Sequence, residues 1–273
     1  MPRISIGIPV YNGASMLPEA LEGIRTQTEA DISVIMSDNA STDQTAAIMA
    51  EMTARDSRFH QITQNENIGP IRNFRAVLEA ADAPYFAWRA YDDLSDPAYF
   101  QRLADRLDQD PNAVLAAPHV ETLNISTGKR RPRPVDHLQA RQYSPAKTLA
   151  RSQAGWVYGL WRTDYLRECF DWMQRVYAPE VWAWDHVILF PAICAGRVTY
   201  ENAAKLTLRL ERVASTVDTP PLKPDLRRLA HRFQTALFDE IDRQGLSGTA
   251  RMSLRWAVRR HIHRRVVSRW KLL

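Results

Sequence analysis

Strand-like and helix-like runs alternate through the N-terminal third of this chain, and that alternation constrains the fold more than any other feature. Ile4 to Val10 is an almost unbroken apolar run, and Ile32 to Ser37 is rich in β-branched residues. Phe59 to Thr63 and Pro84 to Arg89 are shorter runs of the same kind. Between them lie segments with apolar residues at helical spacing. Ser15 caps a predicted helix reaching about Thr26, with Leu17, Leu21 and Ile24 on one face. Ser41 with Gln44 forms a capping box for a second helix, with Ile48 and Met52 inward. Pro70 stands at the first turn of a third, which runs through Ala80. The pattern predicts an α/β fold with an open, mainly parallel sheet flanked by helices on both faces.

Sheets of that kind bind ligands outside the carboxyl ends of their strands. Three polar loops fall at those ends: Tyr11-Asn12, Asp38-Asn39 and Asp92-Asp93. The adjacent carboxylates of Asp92 and Asp93 form a hard-oxygen pair. Such a pair either satisfies the backbone donors of a turn or holds a divalent cation that takes its remaining ligands from water and phosphate. In the second case the cation neutralises charge on a diphosphate leaving group.

The rest of the chain divides differently. Beyond Asp110-Pro111, Ala113 to Pro118 and Val120 to Asn124 read as strands, Ser126 to Lys129 as a turn and Arg130 to Pro134 as a basic, proline-rich loop. Ser144 opens a helix to about Arg151, and a tryptophan-rich stretch follows. Val217 to Asp225, with three prolines, reads as a linker before a helical remainder. These shifts divide the chain into residues 1–118, 119–216 and 217–273. The first holds the three polar loops, the second the tryptophan-rich stretch, and the third is a basic helical extension.

Cys169 and Cys194 are too few for a disulfide framework, which points to a reducing compartment. No signal peptide opens the sequence, and the longest apolar run, Val187 to Ala195, is too short to cross a bilayer. The expected location is therefore cytoplasmic. The net charge of +5 is unevenly spread. From Lys223 onward there are thirteen Lys/Arg and four Asp/Glu, so the first 222 residues carry an excess of four negative charges.

The motifs Ile-Pro-Val-Tyr-Asn (Ile8 to Asn12), Ser-Asp-Asn-Ala-Ser-Thr-Asp (Ser37 to Asp43), Asn-Ile-Gly (Asn67 to Gly69) and Asp-Asp (Asp92, Asp93) occur in that order. In this the chain resembles the family 2 inverting glycosyltransferases with the GT-A fold, strongly over the first hundred residues or so. The resemblance implies a mixed, mainly parallel GT-A-like sheet with a helical C-terminal extension. It implies transfer of a sugar from a nucleoside diphosphate sugar to an acceptor hydroxyl, with Mn²⁺ or Mg²⁺, residues 1–118 forming the nucleotide-sugar-binding (donor) half and 119–216 the acceptor-binding half. Pro9, Tyr11 and Asn12 would lie at the nucleobase, and Asp38 would accept a hydrogen bond from it. Asn67 and Arg72 would lie near base and diphosphate, Asp92 near the ribose or donor sugar, and Asp93 would ligate the metal. One position departs from the pattern: Tyr91 occupies the first place of a strict Asp-x-Asp. That departure keeps open an alternative, a GT-A-like protein that binds nucleotide or partner without chemistry. Each residue also has a plainer reading: Tyr11 plugs the sheet edge, Asp38 forms a turn, Arg72 is a solvated helix residue.

By the same resemblance, Asp185 in Trp184-Asp185-His186 stands where the family keeps the general base that deprotonates the acceptor. The plainer reading is an N-cap for a helix beginning at His186. Trp156 and Tyr158, in Gly155 to Arg162, either stack on acceptor sugars or belong to the core. Arg209 and Arg212 match a late basic element that approaches the diphosphate. The implied acceptor is a glycan or lipid-linked saccharide. Leu254, Val258, Ile262, Val266, Trp270 and Leu273 recur at helical spacing in a basic tail. That stripe either meets an anionic membrane, on its inner face, or packs on the body or on a second copy. No nucleic-acid-binding motif accompanies the charge, so nucleic acid is not an expected partner.

Overall fold

A computed structural model describes residues 1–133, 143–210 and 223–267. The first half follows the predicted alternation: β1 (Ile4–Val10), α1 (Leu17–Arg25), β2 (Ile32–Asp38), α2 (Thr45–Arg55), β3 (Phe59–Thr63), α3 (Pro70–Glu79) and β4 (Tyr85–Trp88). These strands lie parallel in the order β3-β2-β1-β4, with Ile4 opposite both Ile32 and Tyr85. Every residue of β1 and β4 is buried, as expected for parallel strands covered on both faces. Helix α3 approaches β1 so closely that a Cβ on Gly7 would come within 2.6 Å of Val77 Cγ2. A side chain there would push helix and strand apart.

The chain then adds β5 (Leu94–Ser95), α4 (Tyr99–Asp108), β6 (Leu115–Asn124), β7 (Arg130–Arg133), α5 (Pro145–Arg151), a 3₁₀ turn (Ala154–Tyr158), β8 (Leu160–Arg162), α6 (Thr163–Tyr177), α7 (Trp184–Cys194) and β9 (Val198–Leu210). They extend the sheet as β4-β8-β6-β9-β5, with β7 paired to β6. β8 runs antiparallel to both neighbours, while β6 and β9 are parallel, with a register shift at Pro118/His119. β6 runs straight through residue 118, so the sequence-drawn halves share one continuous sheet. Helices α8 (Lys223–Arg243) and α9 (Gly248–His261) form the C-terminal extension, and a π-turn (Ile262–Val267) follows.

Several local expectations change. Helix α1 starts at Leu17, held by the Gly13 carbonyl rather than by a Ser15 cap. Ser41 does not cap α2: its Oγ accepts the N–H of Asn12, and Asp43 instead bonds Thr45 at the helix start. The two strands expected on either side of residue 119 are the single strand β6. The loop expected at Arg130 to Pro134 pairs as β7 through Arg133, because Arg130–Arg133 can use the free edge of β6. Ser144 does cap α5, accepting from the N–H of Lys147. Part of the expected linker, and Arg212, lie outside the described residues.

Candidate active site

The carboxyl ends of β1, β2 and β4 lie at one side of the sheet, and the loops after β1, β2 and β3 are cross-bonded. Asn12, with a left-handed φ of 50°, accepts the N–H of Thr42 on its Oδ1 at 2.8 Å and donates its own N–H to Ser41 Oγ at 2.9 Å. Gly13 and Ala14 donate to Thr45 and Asp43. The β1 loop is thereby fastened to the β2 loop along its length. Tyr11 projects from this join, 43% exposed, next to Asn12. Pro9 is buried within β1 and pairs in register with Ser37.

Asp38 is buried at the end of β2, where its Oδ1 accepts the N–H of Ser41 at 3.1 Å. Its turn-forming role is thus realised in this structure. Its neighbour Asn39, also buried, reaches the third loop. Asn39 Nδ2 donates to Asn67 Oδ1 at 3.0 Å, and Asn39 Oδ1 accepts the N–H of Ile68 at 2.9 Å. Asn67 also accepts the N–H of Gly69. Arg72 lies beside this third loop, in a cleft that Ile68 and Gly69 also line. That cleft of about 230 Å³ lies between the start of α3 and the loop after α6, with Gln174, Tyr177 and Glu180.

Asp92 and Asp93 follow β4. Asp93 is 5% exposed, and burial together with the neighbouring Asp92 pushes its carboxyl up to about 7. Burial raises Asp92 as well, while Arg209 and Arg89 oppose the shift. Two carboxylates held out of water side by side resist carrying charge together. Among the described residues, no group of three or more His, Cys, Asp or Glu side chains forms a metal cage. Asp92 and Asp93 offer two adjacent hard-oxygen donors, the kind of pair that a divalent cation supplements with phosphate and water.

Across β4 from these loops stands the start of α7. Trp184 packs edge-on against Phe74 of α3, at 4.9 Å between centroids, and against Trp88 of β4, at 6.0 Å. Those contacts fix the helix start to both donor-side elements. Asp185 lies in the first turn, half-buried, with Oδ1 accepting the N–H of His186 at 2.8 Å. It is not the N-cap residue that the sequence suggested. The helix begins at Trp184, and Ala183 precedes it with a left-handed φ of 57°. Burial pushes the Tyr158 hydroxyl well above the ordinary range, and the charges of Asp93, Asp92 and Asp185 add to that shift.

Trp156 takes the core alternative in this structure. It is fully buried, its ring edge-on to Tyr200 at 5.1 Å, so it offers no face to an acceptor. Arg209 is present but engaged. Its guanidinium bonds the Asp92 carbonyl and the Glu19 carboxylate, and its N–H reaches Asp93 Oδ1 at 3.0 Å.

The sequence profile of glycosyl transferase family 2 matches residues 5–168. The chain belongs to glycosyl transferase family 2. A relative, validoxylamine A glucosyltransferase of Streptomyces hygroscopicus subsp. jinggangensis, is 28% identical over 72% of this chain and 46% of its own length. The chain spans about half the length of the curated relatives it matches. Among solved structures, S. aureus TarS 1-349 in complex with UDP-GlcNAc aligns over 96% of this chain and 73% of that one, with a TM-score of 0.73 and 16% identity. Mannosyltransferase PcManGT from Pyrobaculum calidifontis, in complex with GDP-Man and Mn²⁺, aligns over 94% and 68%, with a TM-score of 0.58 and 18% identity. The fold is that of the GT-A glycosyltransferases, with a helical C-terminal region.

Two supporting residues of this family 2 member escaped the sequence reading, and a third, Asn39, was named there only as part of a polar loop and ties two loops together. Asn73 is buried on the inward face of α3. It donates to the Ser37 carbonyl at 3.1 Å and accepts from Ser37 Oγ at 2.6 Å. Arg89 is fully buried directly after β4, with its guanidinium over the Tyr99 ring at 5.4 Å and its Nε and Nη1 without hydrogen-bond partners. Burial lowers its pKa, and Asp93 opposes that shift. A polar residue at an apolar position of a helix or strand was the available signal for Asn73 and Arg89.

Proposed function

We propose that this protein transfers a sugar from a nucleoside diphosphate sugar to an acceptor hydroxyl with inversion at the sugar carbon. One observation carries the reading. In a family 2 chain, the cross-bonded loops with Tyr11, Asn12, Asp38 and Asn67 share a sheet edge with Asp92 and Asp93, and Asp185 stands in the first turn of α7, whose Trp184 packs on Trp88 of β4. The first group offers a nucleobase an aromatic face and hydrogen-bonding partners. Asp93 would hold Mn²⁺ or Mg²⁺ beside the diphosphate, where the cation supplies charge neutralisation for the leaving group, and Asp92 would reach the ribose or donor sugar. Asp185, on the other side of β4, accepts the proton of the attacking hydroxyl as the general base. Tyr158 remains the aromatic candidate for acceptor contact, and Arg209, with Arg212 outside the described residues, the basic candidates near the diphosphate. The UDP-GlcNAc bound to TarS and the GDP-Man and Mn²⁺ bound to PcManGT support this donor class and cation.

The acceptor side of the reading is a glycan or a lipid-linked saccharide, met in the cytoplasm at the inner face of a membrane. Among the described residues, no helix is long and apolar enough to cross a bilayer. Leu254, Val258 and Ile262 of the tail's apolar stripe are buried in the core and not free for lipid, and Trp270 and Leu273 lie outside the described residues. The outward face of α9 is a better membrane-facing surface. Met252 and Trp256 are 69% and 59% exposed, Arg260 lies over the Trp256 ring at 5.1 Å, and Gly248–His261 contains no acid.

The test is a panel of UDP-, GDP- and dTDP-linked sugars with Mn²⁺ or Mg²⁺, followed by thermal shift and by release of the nucleoside diphosphate. The reading expects a cation-dependent rise in midpoint and slow release with at least one donor. Binding without release, even with candidate acceptors, would favour the non-catalytic alternative that Tyr91 suggests. No binding by any donor would end both.

A further inference from the structure

The loop between α6 and α7 delivers Asp185, and it is gripped from outside by the C-terminal extension. Arg232 of α8 forks across it. One nitrogen donates to the Ala178 carbonyl at 2.9 Å and reaches the Tyr177 carbonyl at 3.5 Å, while the other meets Glu180 Oε1 at 3.1 Å. Arg228, one turn earlier, bonds the same Glu180 oxygen. Phe233, next to Arg232 and fully buried, meets the rings of Tyr177 and Trp182 edge-on at 6.3 and 6.4 Å. It also stacks on His261 of α9, whose ring lies 4.8 Å from that of His186. Within the loop, Tyr177 Oη donates to the Trp182 carbonyl at 2.9 Å. The segment from Ala178 to His186 is thus held on one side by Trp184 in the core and on the other by α8 and α9.

We propose that Arg232 is a positioning residue for Asp185, and that the C-terminal helices are a working part of the acceptor half. The inference rests on the general-base reading of Asp185. Its physical basis is leverage. Asp185 sits in the first turn of α7, immediately after Ala183 in a left-handed conformation that is costly for a residue with a Cβ. Such a turn persists only where its surroundings fix it. Arg232 does so with a planar fork that spans a carboxylate and two carbonyls, a geometry lysine cannot reproduce. A base displaced by an ångström loses much of its effect on turnover but leaves the nucleotide site untouched.

The experiment uses the full chain and the nucleoside diphosphate sugar that the parent hydrolyses fastest in the panel, with water as acceptor. The variants are Arg232→Ala, Arg232→Lys, Asp185→Asn and the double variant Arg232→Ala/Asp185→Asn. Arg251→Ala, on α9 and bonded only to Asp242 among the described contacts, serves as a control. Arg232→Ala should slow turnover roughly tenfold or more, with UDP or GDP affinity and melting midpoint close to the parent's. It should also speed amide exchange in residues 178–186. Arg232→Lys should fall between the two. In the Asp185→Asn background the same change should cost nothing further, because a positioning residue acts through the base. Parental turnover in a folded Arg232→Ala overturns the proposal, and so does a double variant in which the two losses multiply. If Asp185→Asn itself turns over normally, the base reading fails and takes the proposal with it. That result is distinct from a slow Asp185→Asn beside a normal Arg232→Ala, which removes the clamp alone. A parent that releases no nucleoside diphosphate from any donor removes the transferase reading and this inference together.

Discussion

The main-chain N–H of Arg209 donates to Asp93 Oδ1 at 3.0 Å, across 116 positions of sequence. The last strand of the sheet therefore orients the second carboxylate of the acidic pair. The Arg209 guanidinium, bonded to the Asp92 carbonyl and to Glu19, closes the same loop from the α1 side. The acidic pair is thus assembled by three separated segments rather than by its own turn.

Replacing Asp93 by Asn separates the two consequences of that burial. Asn keeps an oxygen for the Arg209 N–H but cannot carry the negative charge that a divalent cation requires. Calorimetry with UDP or GDP should show Mn²⁺-dependent binding in the parent and none in Asp93→Asn. In the presence of a chelator, the variant should melt at the parental temperature or above it, because burial penalises the ionised carboxyl. Retained metal-dependent affinity would count against Asp93 as a ligand.

A second prediction concerns α9. A Trp ring carrying an arginine, with Met252 one turn away on an acid-free helix, suits the boundary between anionic headgroups and acyl chains. Trp256→Ala combined with Arg260→Ala should abolish co-sedimentation with vesicles of anionic phospholipid at low salt. Nucleotide binding should be unchanged. The pair is preferable to truncation after Ala250, which would remove the core residues Leu254 and Val258. A parent protein that stays in the supernatant with such vesicles removes the membrane reading.

Much of the donor half was legible because its signals are local. The apolar run of β1, the β-branched residues of β2 and Pro70 at the start of α3 each act over a few neighbours, and those elements formed where expected. What depended on distant pairing was not legible. Arg130 to Arg133 became a strand because β6 offered it an edge. Ser41 lost its capping role because Asn12 claimed its hydroxyl. Trp156 could not be sorted from Tyr158 by spacing, since the difference is whether Tyr200 covers the ring. The tail stripe had the right period for a lipid-facing helix, but a period does not identify the partner. Here Leu254, Val258 and Ile262 pack in the core. The grip of Arg232 on the Asp185 loop joins residues more than fifty positions apart and left no trace in the sequence pattern.

Acid stability should depend in part on Asp56, at the C-terminal end of α2. Arg58 Nε and Nη2 bond its two oxygens at 3.0 and 2.7 Å, and that guanidinium holds the Asp56 carboxyl below its ordinary value. A depressed carboxyl stabilises the fold above its unfolded pKa of about 3.9 and loses that contribution as pH falls through the folded value. Asp56→Asn should therefore cost about 1 kcal/mol at pH 7. The gap between variant and parent should close on acidification below about pH 4. A gap of constant size across that range would mean that the carboxylate charge is not what stabilises the turn.

The sharpest test of the proposed chemistry is Asp185→Asn. Asp185 lies in the first turn of α7, where its Oδ1 accepts the His186 N–H and a negative charge also suits the helix N-terminus. Asn retains the acceptor oxygen and much of the local geometry, so the fold should survive with at most about 1 kcal/mol lost. It cannot take a proton from a sugar hydroxyl near neutral pH. A general base acts on the acceptor and not on the nucleotide, so Mn²⁺-dependent affinity for the donor should remain parental. Transfer should fall by roughly a hundredfold or more. Loss of donor affinity along with transfer would instead assign Asp185 a structural part in the loop, and near-parental transfer would move the search for the base to His186 or Glu180.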